Sequence, residues 1–271
     1  MLPHRIGFIG AGKMATALGQ GLIRAGLTAG ANLLAADPDE KARRHFAETT
    51  GGKVTEENAA VVSADVLILA VKPAQMAGVC TMLKGKIPAK TLVVSLAAGV
   101  SLARLQHWLG DGVRLVRTMP NMPCLVGQGA TGYSLGQHAT PADAELVEEL
   151  LRAVGLVVPV EEELLDAVTG LSGSGPAFVY EIITALSEAG ARLGLPPTVA
   201  DSLAVQTVRG AAEMVRITGE SPAALQDRVA SPGGTTVAGL KALETGNLRQ
   251  TLIAAVEAAA RRSRELGREM N

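Results

Sequence analysis

One alternation constrains this chain more than any other feature. Through the first 160 residues, short runs rich in Val, Ile and Leu take turns with longer segments of helical periodicity, as in a parallel sheet wrapped by crossover helices. Strands are expected at Ile6–Ile9, Leu33–Ala36, Val66–Ala70, Leu92–Ser95, Leu115–Thr118 and Val157–Val160. The runs VLILAV and TLVVSL lack the inside/outside alternation of a half-exposed sheet, so burial on both faces is expected. From Glu161 onward no strand run is found. Ala- and Leu-rich stretches at helical spacing, broken by LSGSGP, LGLPP, TGESP, ASPGG and TGN, predict five or six helices there. The expected fold class is α/β, with a Rossmann-type dinucleotide-binding domain over residues 1–160 and an all-helical domain over 161–271.

Several function classes fall away on composition. Twenty-five basic and 26 acidic side chains give a net charge of −1, which offers no electrostatic reason for a nucleic-acid or anionic-membrane partner. Only Cys80 and Cys124 occur, so there is no disulfide framework and no CxxC metal pair. Both are expected as buried, reduced thiols. His4, His45, His107 and His138 have no metal-ligand spacing with one another, so no metal is expected. The longest strongly apolar run, Val66–Val71, is far short of the roughly 20 residues a membrane helix needs. No targeting segment is read ahead of the first strand, and a cytoplasmic protein is expected. With three Phe, two Tyr and one Trp, the apolar mass is aliphatic, and Ala-rich helices suit close packing across a subunit interface.

The first strand runs directly into Gly10-Ala11-Gly12-Lys13-Met14-Ala15, which fits G-x-G-x-x-G/A at the mouth of a βαβ unit. The first glycine allows the tight turn, the second lets the backbone approach a pyrophosphate, and the third small position lets helix and strand pack closely. Free amides at the helix start then face the phosphates. Gly7–Lys13 also matches the opening of a P-loop, but Met14 replaces the hydroxyl that would hold magnesium, so triphosphate hydrolysis is disfavoured. At the end of the second strand, LLAADPDE, Asp37 stands where an acidic residue would hold the ribose 2′-OH and repel a 2′-phosphate, a lean toward NADH. Asp37 before Pro38 reads equally well as a solvent-facing turn residue. Lys41, Arg43 and Arg44 follow, within reach of a phosphate.

The segments Leu171–Ala177 and Ser231–Thr236 each place Ser, Gly and Pro, with Thr in the second, before an apolar run and read as helix starts. Such loops present amides and hydroxyls suited to a small carboxylate, although plain helix capping accounts for either one alone. No lysine occurs between Lys90 and Lys241, and every histidine precedes Val160. The helical domain therefore offers no histidine and no mid-domain lysine as a proton acceptor, which makes hydroxyacid oxidation hard to build there.

The ordered set GFIGAGKMA (Gly7–Ala15), AVKP (Ala70–Pro73), SLAAG (Ser95–Gly99), RTMPN (Arg117–Asn121), LSGSGPAF (Leu171–Phe178) and SPGGTT (Ser231–Thr236) closely resembles the pyrroline-5-carboxylate reductase family. The likeness spans nearly the whole chain. It implies reduction of Δ1-pyrroline-5-carboxylate to L-proline with NADPH or NADH, the last step of proline biosynthesis. It also implies homodimers through the helical domain, often assembled into decamers, and an active site between the dinucleotide domain of one subunit and the helical domain of its partner. By motif position, the cofactor would be held by Gly10, Gly12, Lys13, Met14, Asp37, Asn58, Val71, Lys72, Pro73, Ala97 and Ala98, with Asn121 and the Ser174 loop bordering the nicotinamide. Ser231, Gly233, Gly234, Thr235 and Thr236 would form the substrate loop, and Ser174 would bind the substrate as well. Within it the Gly234 and Thr235 amides would take the carboxylate, and the Thr236 hydroxyl would stand near the ring nitrogen as the catalytic group. Asp37 departs from the small hydroxyl or basic neighbourhood many relatives carry there, which puts their usual NADPH preference in doubt.

A cyclic imine can be protonated in solution before it binds, so hydride delivery to the iminium carbon needs no catalytic acid. Position and electrostatics suffice. A β-hydroxyacid dehydrogenase would need a lysine in the first long helix of the helical domain, and Pro176–Leu193 has none. An imine reductase of another ring specificity, or a catalytically silent dinucleotide-binding protein, stays open on residues alone.

Overall fold

The computed structural model of the protein describes residues 3–269. Its strands are β1 Ile6–Ile9, β2 Leu33–Ala36, β3 Lys53–Thr55, β4 Val66–Leu69, β5 Leu92–Ser95, β6 Arg114–Met119, β7 Gly129–Leu135 and β8 Gly155–Pro159. The α-helices are α1 Lys13–Arg24, α2 Glu40–Thr50, α3 Pro73–Leu83, α4 Leu102–Leu109, α5 Pro141–Arg152, α6 Leu165–Val168, α7 Gly175–Arg192, α8 Pro197–Thr218, α9 Pro222–Val229, α10 Thr235–Thr245 and α11 Leu248–Glu269. No helix among the described residues is long and apolar enough to cross a membrane.

The chain divides into two compact units. One runs up to Ser174 and resumes at Glu257, and the other is Gly175–Val256. The boundary expected at Val160 follows the end of β8 directly, whereas the compact units part at the start of α7.

The first unit holds one eight-stranded sheet in the order β3-β2-β1-β4-β5-β6-β7-β8. Side chains alternate along the central strands β1, β4 and β5 between two separate cores. Phe8, Val66, Ile68 and Val94 face one core with Leu18 and Leu22 of α1, Phe46 of α2 and Val147 and Leu150 of α5. Ile9, Leu67, Leu69 and Val93 face the other with Met76, Cys80 and Leu83 of α3 and Leu105 and Leu109 of α4. Burial on both sides explains why the strands read as continuous apolar runs.

Two strands escaped the sequence reading. β3 is a three-residue edge strand with little to bury. β7 carries Gly129 and Gly132, and it runs antiparallel to β6 and parallel to β8. The link Pro120–Gln128 contains only a 3₁₀ turn over Met122–Val126 and a left-handed Gly127, too short for the crossover a parallel neighbour demands. The sheet is therefore mixed where an all-parallel one was expected.

The second unit is entirely helical among the described residues. α7 and α8 pack closely because Gly190 faces Ala200, where an added Cβ would come within 3.1 Å of the Ala200 Cβ. Among its large apolar side chains Leu203, Val205, Ile217 and Val229 each remain more than half exposed, and only Ala200 and Ala204 of its hydrophobic residues are buried. A face of that kind marks an association surface.

Candidate active site

β1, β4 and β5 run parallel, so the loops leaving them emerge on one edge of the sheet. The strand order reverses between β1 and β4, and crevices at such switch points receive ligands in open α/β sheets. The Ala70 amide donates to the Ile9 carbonyl (2.8 Å) and the Leu96 amide to the Leu69 carbonyl (3.0 Å), which draws the three loops together.

The two glycines of the first loop do different work. Gly10 adopts φ +95°, and a Cβ there would meet the Ala70 carbonyl at 2.9 Å, so only glycine closes the turn. Gly12 has an ordinary φ of −72°, and nothing lies within 4 Å of the Cβ it lacks. It is the N-cap of α1, and no side chain caps that helix. An open space in front of uncapped amides is what a pyrophosphate requires, so the residues fit a dinucleotide. Ala15, the third small position, is fully buried against the sheet.

Lys13 and Lys72 are exposed along this edge, while Met14, Val71, Pro73 and Ala98 are half-buried and Ala97 is buried. Pro73 begins α3, where its missing N–H costs nothing. Asn58 opens a 3₁₀ turn beyond β3.

Asp37 turns inward. Its Oδ2 accepts from the Ala11 amide at 2.8 Å and its Oδ1 from the Asp39 amide at 2.9 Å, which fixes the carboxylate beneath the glycine loop. Arg43, one of the cations within sequence reach of a phosphate, is already engaged. It donates to the carbonyls of Asp37 (2.7 Å) and Pro38 (3.0 Å) and pairs with Glu56 at 2.8 Å.

Asn121 and Ser174 lie in the first unit. Asn121 is 8% exposed, and its Nδ2 donates to the Ser172 carbonyl (2.9 Å) while its Oδ1 accepts from the Ala130 amide (2.8 Å). Ser174 closes a π-helical turn, Thr169–Gly173, by donating its amide to the Thr169 carbonyl at 2.8 Å. Single π turns recur at functional sites.

In the second unit, Gly233 takes φ +71° and the Gly234 amide donates to the Ser231 carbonyl at 2.9 Å. The Gly234 amide, expected to face a carboxylate, here closes the Ser231–Gly234 turn. Gly234 is instead the N-cap of α10, without a capping side chain, so the open amides belong to the first turn that begins with Thr235 and Thr236.

Both thiols are buried, and burial pushes Cys80 up to about 12 and raises Cys124. Neither offers a thiolate at neutral pH.

A family model described as pyrroline-5-carboxylate reductase dimerisation matches residues 162–266, and one described as NADP oxidoreductase, coenzyme F420-dependent, matches residues 5–99. The pyrroline-5-carboxylate reductase of Methanosarcina acetivorans is 44% identical over 98% of this chain and 99% of its own length. That of Arabidopsis thaliana is 46% identical over 97% of this chain and 95% of its own. Among solved structures, the Coxiella burnetii pyrroline-5-carboxylate reductase superposes with a TM-score of 0.91 at 41% identity, covering 97% of this chain and 98% of the other. The Plasmodium falciparum pyrroline carboxylate reductase, solved with NADP bound, gives 0.89 at 31% identity, covering 98% and 99%.

Proposed function

Since the chain belongs to the pyrroline-5-carboxylate reductase family, we propose that it reduces Δ1-pyrroline-5-carboxylate to L-proline in the cytoplasm as a homodimer, with pentamers of dimers as the larger assembly. The observation that carries this reading is similarity at 44% identity along essentially the full length of a pyrroline-5-carboxylate reductase, which takes in both glycine-rich loops.

NAD(P)H supplies the hydride when bound. The chain's own residues position and exclude. The Gly10–Gly12 turn and the first amides of α1 hold the pyrophosphate, with Lys13 and Met14 beside it. Asn58, the Val71–Pro73 turn and Ala97–Ala98 line the rest of the dinucleotide. The amides of Thr235 and Thr236, presented by the partner subunit's copy of the Ser231–Thr236 loop, take the substrate carboxylate. The Thr236 hydroxyl bonds the ring nitrogen, and Ser174 borders the ring. The imine arrives protonated, so hydride addition to its carbon discharges the cation and no side chain has to surrender a proton.

Asp37 sets the choice of cofactor. A carboxylate fixed by two amides cannot swing away from a 2′-phosphate, and Arg43, tied to carbonyls and Glu56, is not free to neutralise one. With purified protein, pyrroline-5-carboxylate should drive oxidation of either nucleotide, with kcat/KM about tenfold or more higher for NADH, a gap of ~1.4 kcal/mol. Six-membered cyclic imines and 3-hydroxyacids serve as controls. A large advantage for NADPH would overturn the role of Asp37, and absence of turnover with pyrroline-5-carboxylate would overturn the assignment itself.

A further inference from the structure

In a regular helix the Ser172 carbonyl would accept from the amide four residues on. That residue is Pro176, which has no N–H. The carbonyl is thus deprived of its helical donor at the point where the chain loosens into the Thr169–Gly173 π turn. Asn121 supplies the replacement through its Nδ2, at 2.9 Å. Its other end is anchored to the Ala130 amide of β7, and a carbonyl on one side with an N–H on the other leaves the amide group one orientation. Met119, two residues earlier, packs beside Gly173, where an added Cβ would meet the Met119 methyl at 2.6 Å. The end of β6 therefore grips this turn twice.

We propose that Asn121, whose amide is engaged at both ends, is a positioning residue and not the nicotinamide contact that motif position implied: it stands in for the donor that Pro176 removes, fixes the turn through Ser172, and so sets the place of Ser174. The kinetic part of this inference rests on Ser174 bordering the substrate, as read above; the structural part does not. Asn121→Asp keeps the acceptor for Ala130 but turns an oxygen toward the Ser172 carbonyl, and Asn121→Ala removes both bonds. In either variant KM for pyrroline-5-carboxylate should rise about tenfold, the scale of one lost buried hydrogen bond, while the Kd for NADH measured by fluorescence titration stays within about twofold. Pro176→Ala, which restores an N–H, should recover most of that loss in the Asn121→Ala background and leave the wild-type background nearly unchanged. Hydrogen exchange of the full-length Asn121→Asp protein should rise at residues 169–174.

A Kd for NADH that rises in step with KM would overturn the proposal in favour of direct cofactor contact, and so would unchanged exchange in the turn or no rescue by Pro176→Ala. Should the wild-type chain fail to reduce pyrroline-5-carboxylate, the functional reading falls, and exchange over residues 169–174 still decides the role of Asn121.

Discussion

Gly12→Val should weaken dinucleotide binding by about 100-fold or more, ~2.7 kcal/mol, and leave the fold standing. The backbone at Gly12 has φ −72°, which any L-residue adopts, and its missing Cβ faces open space. A valine there fills the volume through which the pyrophosphate reaches the first amides of α1. Its cost to folding is that of a poor N-cap, about 1 kcal/mol or less. Gly10→Ala should behave in the opposite way. There φ is +95° and the Ala70 backbone stands at 2.9 Å, so strain of about 1–3 kcal/mol appears in the melting curve before any binding is measured. Titration of NADH fluorescence alongside thermal melts separates the two. A Gly12→Val protein that binds NADH as the wild type does would show that the pyrophosphate lies elsewhere.

Arg117→Met should destabilise the first unit by about 2–3 kcal/mol. Arg117 is 7% exposed within β6, level with Ser95 of β5, and pairs with Glu162 at 3.0 Å. The same Glu162 oxygen accepts from the amide of Leu102, the first residue of α4, at 2.6 Å. One carboxylate thus fastens β6 to the start of α4, the helix into which the loop carrying Ala97 and Ala98 runs from β5. Removing the guanidinium strands a charge that is only 28% exposed, and that partial exposure keeps the expected loss below the full cost of a buried ion pair. The melting temperature should fall by about 5–10 °C. The double variant Arg117→Met/Glu162→Gln should recover about half of this, because no unpaired charge then remains. An unchanged melt in the single variant, or a double variant no better than the single, would contradict the account.

Much of this architecture is legible in the residues. β1, β2, β4 and β5 declare themselves because burial on both faces leaves each almost free of polar residues. β3 and β7 do not: the first is a short edge, and the second mixes Gly, Thr and Ser into a strand whose partner is set by a short return link. The glycine loop was readable because its function rests on a backbone conformation that only certain residues allow. Asp37 was not, since Asp before Pro serves a solvent turn or an inward carboxylate equally well, and only the bond to the Ala11 amide separates them. The bond from the Gly234 amide to Ser231 could not be read, because hydrogen bonding within a turn depends on the φ of Gly233, which composition leaves open. The Asn121–Ser172 bond joins residues 51 apart, so no local pattern carries it, although Pro176 four places after Ser172 already signals a carbonyl in want of a donor.

At the centre of the account is a cleft that supplies position and hydrogen bonds but no proton to an imine already charged in solution. Turnover of Thr236→Val against pH tests this most directly, since valine keeps the shape of threonine and removes the hydroxyl. The predicted result is a loss of about tenfold, ~1.4 kcal/mol, with the pH profile of the wild type retained and NADH affinity unchanged. Complete loss of activity at every pH, in a folded protein that still binds NADH, would make the Thr236 hydroxyl an obligatory proton donor and contradict it.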